Sequence, residues 1–220
     1  MTQNKKTDKN QYHKPKQKRS EFTYQAILEA ATQLFIESGL EKTTTNKVAA
    51  RAGVSIGSLY QYFPNKHALV TALTEVHLEQ MMQLISTRLA PNLHRPIEDV
   101  IKSVVTLMIE AHSIDPGLHR VLIDESNHGA VKKQLQQFEQ RLSQLIKAFL
   151  ELKRDQLRTQ DLSMAAFVMI NTIETLTHRA VLNKGDNQDI ALPQDKERLV
   201  DHTCDLVVGY LVSSEHKSTV

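Results

Sequence analysis

The sequence predicts an all-α protein of about nine helices, and three observations carry that prediction. The 220 residues include only 7 Gly and 6 Pro, too few chain-breaking residues for many short strands and tight turns. Apolar residues recur with the 3.6-residue period of amphipathic helices, and no segment alternates with the period of two expected of strands. With 40% apolar and 24% charged residues, the composition is that of an ordinary globular chain able to bury a sizeable core.

The first nineteen residues differ from the rest in charge. Residues 1–19 carry seven basic groups and one acid, residues 20–67 carry four of each sign, and residues 68–220 carry 16 basic and 20 acidic groups. The composition predicts that residues 1–19 are a disordered tail, and the basic front predicts contact with a polyanion. Two interpretations of the tail stay open: a solvated appendage, the commoner case, and an arm that contacts DNA.

Residues 20–67 are predicted to form a three-helix unit. The first helix runs from about Glu21 to Ser38 on one apolar stripe, and Gly39 follows as its stop. The run Thr43–Asn46 supplies cap residues for a short second helix that ends at Gly53. This glycine stands where the following turn needs left-handed backbone.

A third short helix is predicted to begin after Ser55, its natural N-cap, and to end before Pro64. Two short helices joined by a tight turn inside a three-helix unit describe a helix-turn-helix. Its outward side is expected to present short polar groups that can meet phosphates and base edges, namely Thr44, Thr45, Asn46, Ser55, Ser58, Gln61 and the Tyr60 hydroxyl.

Residues 68–220 are predicted to form a larger helical domain. A helix that starts at Lys66 continues to about Leu89, and five more are expected at Ile97–His112, Pro116–Glu125, Val131–Leu157, Leu162–Asn183 and Pro193–Ser213. The methionines of this domain are interpreted as core residues, with an adaptable cavity as the alternative.

One long string of residues at fixed spacing runs through about 20–70. Its members are Ile27-Leu28, Ala30-Ala31, Leu34-Phe35, Gly39, Thr43-Thr44, Val48-Ala49, Ala52-Gly53-Val54-Ser55, Gly57-Ser58-Leu59-Tyr60, Tyr62-Phe63, Lys66 and Leu69. In this string the chain resembles the N-terminal domain of the tetracycline-repressor (TetR) family of transcriptional regulators. The resemblance covers about a quarter of the chain, and the remainder agrees with the family only in the number and order of helices.

The resemblance implies that the third helix enters the major groove of DNA and that a lysine at the next helix contacts a phosphate. The implied DNA-binding residues are Thr44, Thr45, Asn46, Ser55, Ile56, Gly57, Ser58, Tyr60, Gln61, Tyr62 and Lys66. Tyr24 departs from the family pattern, because Arg often stands at that position. A cationic contact is therefore missing there, and the basic tail is the alternative source of that charge.

The last two helices carry so many apolar side chains that these must be buried against another surface. The resemblance implies that they pair with the same helices of a second chain as a four-helix bundle, through Ala165, Ala166, Met169, Ile173, Leu176, Ala180, Leu199, Thr203, Leu206, Val207 and Tyr210. Packing of both helices inside a monomer is the alternative. The family also implies an effector-binding cavity, whose residues the sequence does not identify.

The predicted function is that of a DNA-binding transcriptional regulator, a repressor that binds a palindromic operator as a homodimer and is released by a small-molecule effector. Two alternatives stay open. One is an activator or architectural DNA-binding protein of the same fold without a small effector. The other is a helical enzyme or protein-interaction module that retains a vestigial helix-turn-helix.

Several other classes lack support in the sequence. The phosphate-binding, dinucleotide-binding, nucleophile-elbow and H-E-x-x-H motifs are missing, so neither enzymatic activity nor a cofactor is expected. A single cysteine, Cys204, excludes an internal disulfide, and the ten histidines show no i, i+3 or i, i+4 pair that would indicate a metal site. No signal peptide and no membrane-length apolar run is visible, which predicts a soluble cytoplasmic protein.

Overall fold

The computed structural model describes residues 12–15, 17–127, 129–182 and 195–212, and these residues form nine α-helices without a β-sheet. The all-α prediction is therefore confirmed. The helices are α1 (Lys18–Lys42), α2 (Thr45–Arg51), α3 (Ile56–Tyr62), α4 (Lys66–Leu89), α5 (Ile97–His112), α6 (Pro116–Asp124), α7 (Gly129–Leu152), α8 (Leu162–Leu182) and α9 (Lys196–Leu211). None of these described helices combines the length and apolar character that a membrane crossing needs.

The chain divides into two compact units. The first unit comprises the described residues up to 78 together with 117–135, and the second comprises 79–116 and the described residues from 136 onward. The first unit includes most of α6 because Leu118 and Leu122 are buried in the same apolar cluster as α1 to α4. The sequence predicts a division by function, into a DNA-binding part at 20–67 and an effector-binding part at 68–220. That functional division stays a prediction.

The core of the first unit is one cluster of buried apolar side chains. Phe35, Phe63, Ile27 and Leu59 are its largest members with almost no exposed surface. Complete burial of such a side chain contributes about 1.5–3 kcal/mol. Gly39 ends the regular part of α1 with a φ of 76°, a backbone conformation that favours glycine and that agrees with the predicted stop.

The N-terminal segment, residues 12–15, packs against the first unit. The backbone N–H of His13 donates to the carbonyl of Tyr62 at 2.9 Å, and the centre of the Tyr12 ring lies 6.1 Å from that of Phe63. The prediction of a disordered tail is therefore corrected for residues 12–15 and 17–19. The Tyr12 ring gives the first of these segments an apolar contact that the average composition conceals, and residues 17–19 form the N-cap and start of α1. For residues 1–11 and Lys16 the prediction lies outside the described residues.

In the second unit, α5 packs against both α8 and α9, and α8 packs against α9. The helix α7 ends at Leu152, five residues before the predicted end, because the chain turns at Lys153, whose ammonium donates to the Arg95 carbonyl at 2.8 Å. The predicted ends at 183, 193 and 213 lie outside the described residues. Cys204 is buried on α9, and this burial raises the pKa of its thiol.

Candidate nucleic-acid interface

The helix-turn-helix is built by two side-chain caps and one glycine. The Thr44 hydroxyl accepts a hydrogen bond from the backbone N–H of Lys47 at 3.3 Å, which caps α2. The Ser55 hydroxyl accepts one from the N–H of Ser58 at 3.0 Å, which caps α3. Between the helices Gly53 has a φ of 67°, which permits the tight turn. The predicted turn and caps are therefore present.

Three small or medium apolar residues set the inner side of this helix pair. Val48, Ala49 and Leu59 are 0%, 3% and 0% exposed. Because a helix that buries one side must turn the opposite side outward, their burial determines which residues of α2 and α3 remain accessible.

All eleven predicted DNA-binding residues keep accessible surface. The exposed members are Thr44, Asn46, Ser55, Ile56, Gly57, Tyr60 and Gln61, and the half-buried members are Thr45, Ser58, Tyr62 and Lys66. The hydroxyls of Tyr60 and Thr45 lie 3.1 Å apart and join α3 to α2. Tyr60 remains 50% exposed, so it is not a core aromatic.

Lys66 has an intramolecular contact that the sequence did not predict. Its ammonium donates to the backbone carbonyl of Leu40 at 3.1 Å and lies 3.8 Å from the Glu41 carboxylate. The carbonyls of the last helical turn lack partners within the helix, so a cation at this point stabilises the end of α1. Replacement of Lys66 is consequently not a clean test of phosphate binding.

Tyr62 belongs to an aromatic cluster, which we define as Tyr12, Tyr24, Tyr62 and Phe63. The rings of Tyr24 and Tyr62 meet edge-to-face with centres 6.0 Å apart, and Tyr24 stacks on Phe63 at 5.1 Å. Burial raises the pKa of Tyr24 to about 12, and the negative charge of Glu21 adds to the shift. At the position of the expected arginine the chain therefore has a buried, neutral ring.

The second unit contains two spaces that bear on effector binding. A groove of about 530 Å³ between α5 and α9 has charged walls, which include an ion pair between Lys102 and Asp201. An apolar cavity of about 10 Å³ lies among α5, α7 and α8, and its lining consists of Val104, Met108, Leu142, Ile146, Met169, Ile170 and Ile173. On α8, burial raises the pKa of Glu174, and Glu139 adds to the shift.

The predicted dimer residues do not share one exposed side of α8 and α9. Six of them are buried against their own chain, namely Ala165, Ala166, Met169, Ile173, Thr203 and Val207. Leu176, Ala180, Leu199 and Tyr210 are half-buried, and Leu206 is 58% exposed. For the six buried residues, contact with a second copy would require the core to open. The apolar side chains that do reach the surface include Met164 and Phe167, which the sequence interpretation omitted.

The structure also pairs histidines that lie far apart in the sequence. The ring nitrogens Nε2 of His77 and Nδ1 of His119 are 2.8 Å apart in the buried part of the first unit. In the second unit the ring centres of His112 and His178 lie 5.5 Å apart, and Nδ1 of His112 lies 3.3 Å from the Thr177 hydroxyl. Spacing along one helix cannot reveal such pairs. In the part of the chain that the structure describes, no three metal-binding side chains come together.

Comparison with known proteins identifies both regions of the chain. The family model for bacterial regulatory proteins of the tetR family matches residues 27–73. The model for the tetracyclin repressor-like C-terminal domain matches residues 96–211, more than half of the chain.

Individual relatives agree with these matches. The uncharacterized HTH-type transcriptional regulator YhgD of Bacillus subtilis is 28% identical over 148 residues, which are 66% of this chain and 76% of that protein. The fatty acid degradation regulator FadR from Bacillus halodurans superposes with a TM-score of 0.68 at 21% identity, over 89% of this chain and 97% of the other. FadR from Bacillus subtilis, in complex with stearoyl-CoA, gives 0.64 at 20% identity, over 85% and 98%.

The cap of α3 generates a stability prediction. Replacement of Ser55 by Ala removes the hydroxyl that accepts from the Ser58 N–H, and we expect the free energy of unfolding to fall by about 1 kcal/mol. Urea denaturation of the two proteins measures the change. Ser38→Ala, at an exposed serine on α1, is the matched control and should lose nothing. Equal effects at both serines would contradict the capping role of Ser55.

Proposed function

Because the chain belongs to the TetR family of bacterial transcriptional regulators, we propose that it represses transcription by binding a palindromic operator as a homodimer and that a small-molecule effector releases it. The observation that carries the proposal is the helix-turn-helix, in which α3 is capped at its start and keeps a polar, accessible side. This function requires binding and no catalytic step. Since its partner is the chromosome, we expect the protein in the cytoplasm.

The proposed reading element is α3. The major groove of B-DNA is about 12 Å wide and admits one α-helix. On α3 the exposed amide of Gln61 can contact a base edge, because amides form paired hydrogen bonds with adenine. The hydroxyls of Thr44 and Tyr60 suit phosphate oxygens, which take more than half of the hydrogen bonds in such complexes.

The proposed dimer uses apolar side chains of α8 and α9 that stay exposed among the described residues. Met164 and Phe167 on α8 are 53% and 61% exposed, and Leu206 on α9 is 58% exposed. The two helices pack together, and large exposed apolar side chains on them are typical of a protein-binding surface. A palindromic operator requires two recognition helices about 34–36 Å apart, one helical turn of DNA, and a two-fold dimer supplies two such helices.

The proposed effector site is the apolar cavity among α5, α7 and α8. Its present volume holds no more than about one water molecule, whereas a drug-sized ligand needs roughly 300–1,000 Å³. Met108 and Met169 line it, and the flexible methionine side chain can rearrange to admit a guest. A complete shift between two states needs about 5.5 kcal/mol of differential binding, which an apolar ligand can supply. The stearoyl-CoA complex of the B. subtilis FadR agrees with an apolar effector.

Binding to DNA upstream of the protein's own gene should be steeply salt-dependent, because phosphate contacts release counterions. We expect Gln61→Ala to weaken this binding by about 1–2 kcal/mol, roughly five- to thirtyfold, without a change in melting temperature. Fluorescence anisotropy of a labelled duplex between 50 and 200 mM KCl provides the measurement. The control is Gln144→Ala, an exposed glutamine on α7. A flat salt response, or equal weakening by both variants, would contradict the proposal.

The dimer model predicts that the protein sediments at about twice its chain mass. Phe167→Glu combined with Leu206→Glu places charges in the proposed interface, and we expect this variant to sediment as a monomer at low micromolar concentration. Leu152→Glu is the control, since Leu152 is 65% exposed on α7 and lies outside the proposed interface. A monomeric parent protein, or a double variant that remains dimeric, would rule out this interface.

The effector model predicts that some apolar compound of about 10–20 heavy atoms both raises the melting temperature and releases bound DNA. Met169→Phe adds more volume than the cavity now holds, so it occupies the space that an effector would have to open, at a cost of about 1–3 kcal/mol in stability. We expect it to abolish the response while the protein stays folded and bound to DNA. Leu152→Phe is the control, because Leu152 is exposed on α7 and belongs neither to the cavity lining nor to the proposed interface. If the compound raises the melting temperature and releases DNA equally in both variants, the effector binds elsewhere. If no compound of a broad apolar panel produces these two effects on the parent protein, effector release is wrong.

A further inference from the structure

The chain makes a firmly held corner between α1 and α2, which we define as residues 39–44. Thr43 is 1% exposed there, and its hydroxyl donates to the Gly39 carbonyl at 2.8 Å. Its backbone N–H donates to the Leu40 carbonyl at 3.2 Å, and the Leu40 side chain is buried as well. A side chain that binds a carbonyl of this corner is therefore held at a defined point.

Two lysine ammonium groups are bound to carbonyls of the corner. Lys66, the first residue of α4, donates to the Leu40 carbonyl at 3.1 Å. Lys47, in the first turn of α2, donates to the Lys42 carbonyl at 2.9 Å. An ammonium group has three N–H donors, so one carbonyl occupies only one of them. Because the carbonyls already restrict these long side chains, less conformational freedom is lost when a further ligand binds.

The corner carries a surplus of positive charge. Residues 40–47 together with Lys66 contain three lysines and one acid, Glu41, and a backbone carbonyl holds a cation without cancelling its charge. The Glu41 carboxylate lies 3.8 Å from the Lys66 ammonium, which is longer than a hydrogen bond. The Glu41 side chain is 91% exposed, so this ion pair contributes little and is easily broken.

The two lysines continue the polar side of the helix-turn-helix. The backbone N–H of Lys47 donates to the exposed Thr44 hydroxyl, and the next residue, Thr45, is joined to Tyr60 of α3 by hydroxyls 3.1 Å apart. Phosphate oxygens take more than half of the hydrogen bonds in protein–DNA complexes, and lysine binds them as a point charge. The ligand that suits the corner is therefore a phosphate of the duplex that α3 contacts.

We propose that Lys47 and Lys66 form a phosphate-binding site at the corner, and that Glu41 competes with the phosphate for Lys66. In the free protein the carboxylate lies beside the ammonium group, and it moves away when a phosphate of the duplex takes its place. Because this exchange involves no bases, Glu41 lowers the affinity for every duplex, the operator and the remaining chromosome alike. This inference rests on the proposed DNA-binding function and adds a competing acid to it.

The first test measures binding of the full chain to a labelled 40-base-pair duplex of random sequence, since non-specific affinity comes almost entirely from phosphate contacts. Glu41→Gln should tighten binding about two- to fivefold, the range that loss of an exposed ion pair allows. Glu29→Gln removes an equal charge at an exposed position earlier on α1 and is the matched control. Weaker or unchanged binding by Glu41→Gln, or equal tightening by both variants, would overturn the competition.

A double-mutant cycle separates competition for Lys66 from a general effect of charge. In a Lys66→Gln background, Glu41→Gln should tighten binding no further, because the ammonium group for which the carboxylate competes is gone. Loss of Lys66 also removes a contact to the end of α1, so melting curves establish that the background variant is folded. The same tightening in both backgrounds would show that Glu41 acts on DNA directly and would rule out the competition.

Lys47→Gln tests the other lysine and keeps the proposal testable if Lys66→Gln fails to fold. Loss of one phosphate contact should lower the slope of log affinity against log salt by about 0.9, or about eightfold in affinity at 0.1 M salt. Lys196→Gln, at an exposed lysine on α9, is the control and should leave the slope unchanged. Equal slopes for these two variants would exclude the two-lysine site. If the parent protein binds no duplex at any salt concentration, the proposed function itself fails, which distinguishes the two.

Discussion

The burial of Phe63 is the constraint on which the position of α3 in the helix-turn-helix depends. This ring directly follows α3, is completely buried, and contacts the other three members of the aromatic cluster. Because α3 has only seven residues, its own hydrogen bonds cannot hold it as an isolated helix. A cap at Ser55 and a buried ring after Tyr62 fix its two ends, and the polar side chains between them gain a defined position.

The sequence predicted what is encoded locally. A hydroxyl at Thr44 or Ser55 caps the helix that follows it, and Gly39 interrupts the regular backbone of α1, because these effects act over three or four residues. The positions of the helices follow from the same signals. The residues predicted to point outward on α2 and α3 do keep accessible surface. Val48 and Leu59 are buried on the inner side of the two helices, so the polar residues on the opposite side stay accessible.

The sequence was less informative where contacts join distant residues or where a helix is apolar on every side. On α8, Met164 and Phe167 are as apolar as Met169, so periodicity does not tell the exposed side from the buried one. Tyr12 stands in a charged segment, and only the folded chain brings it to Phe63. The contact between Lys66 and Leu40 likewise spans 26 residues and has no local signal.

The buried thiol of Cys204 has a practical consequence. The sequence contains no other cysteine, and burial keeps this one largely protonated, so it reacts slowly with electrophiles. A cysteine introduced at an exposed position would therefore take up a maleimide or nitroxide label ahead of the native one. The protein is in this respect already suited to spectroscopic distance measurements between introduced labels, without prior removal of its own sulfhydryl.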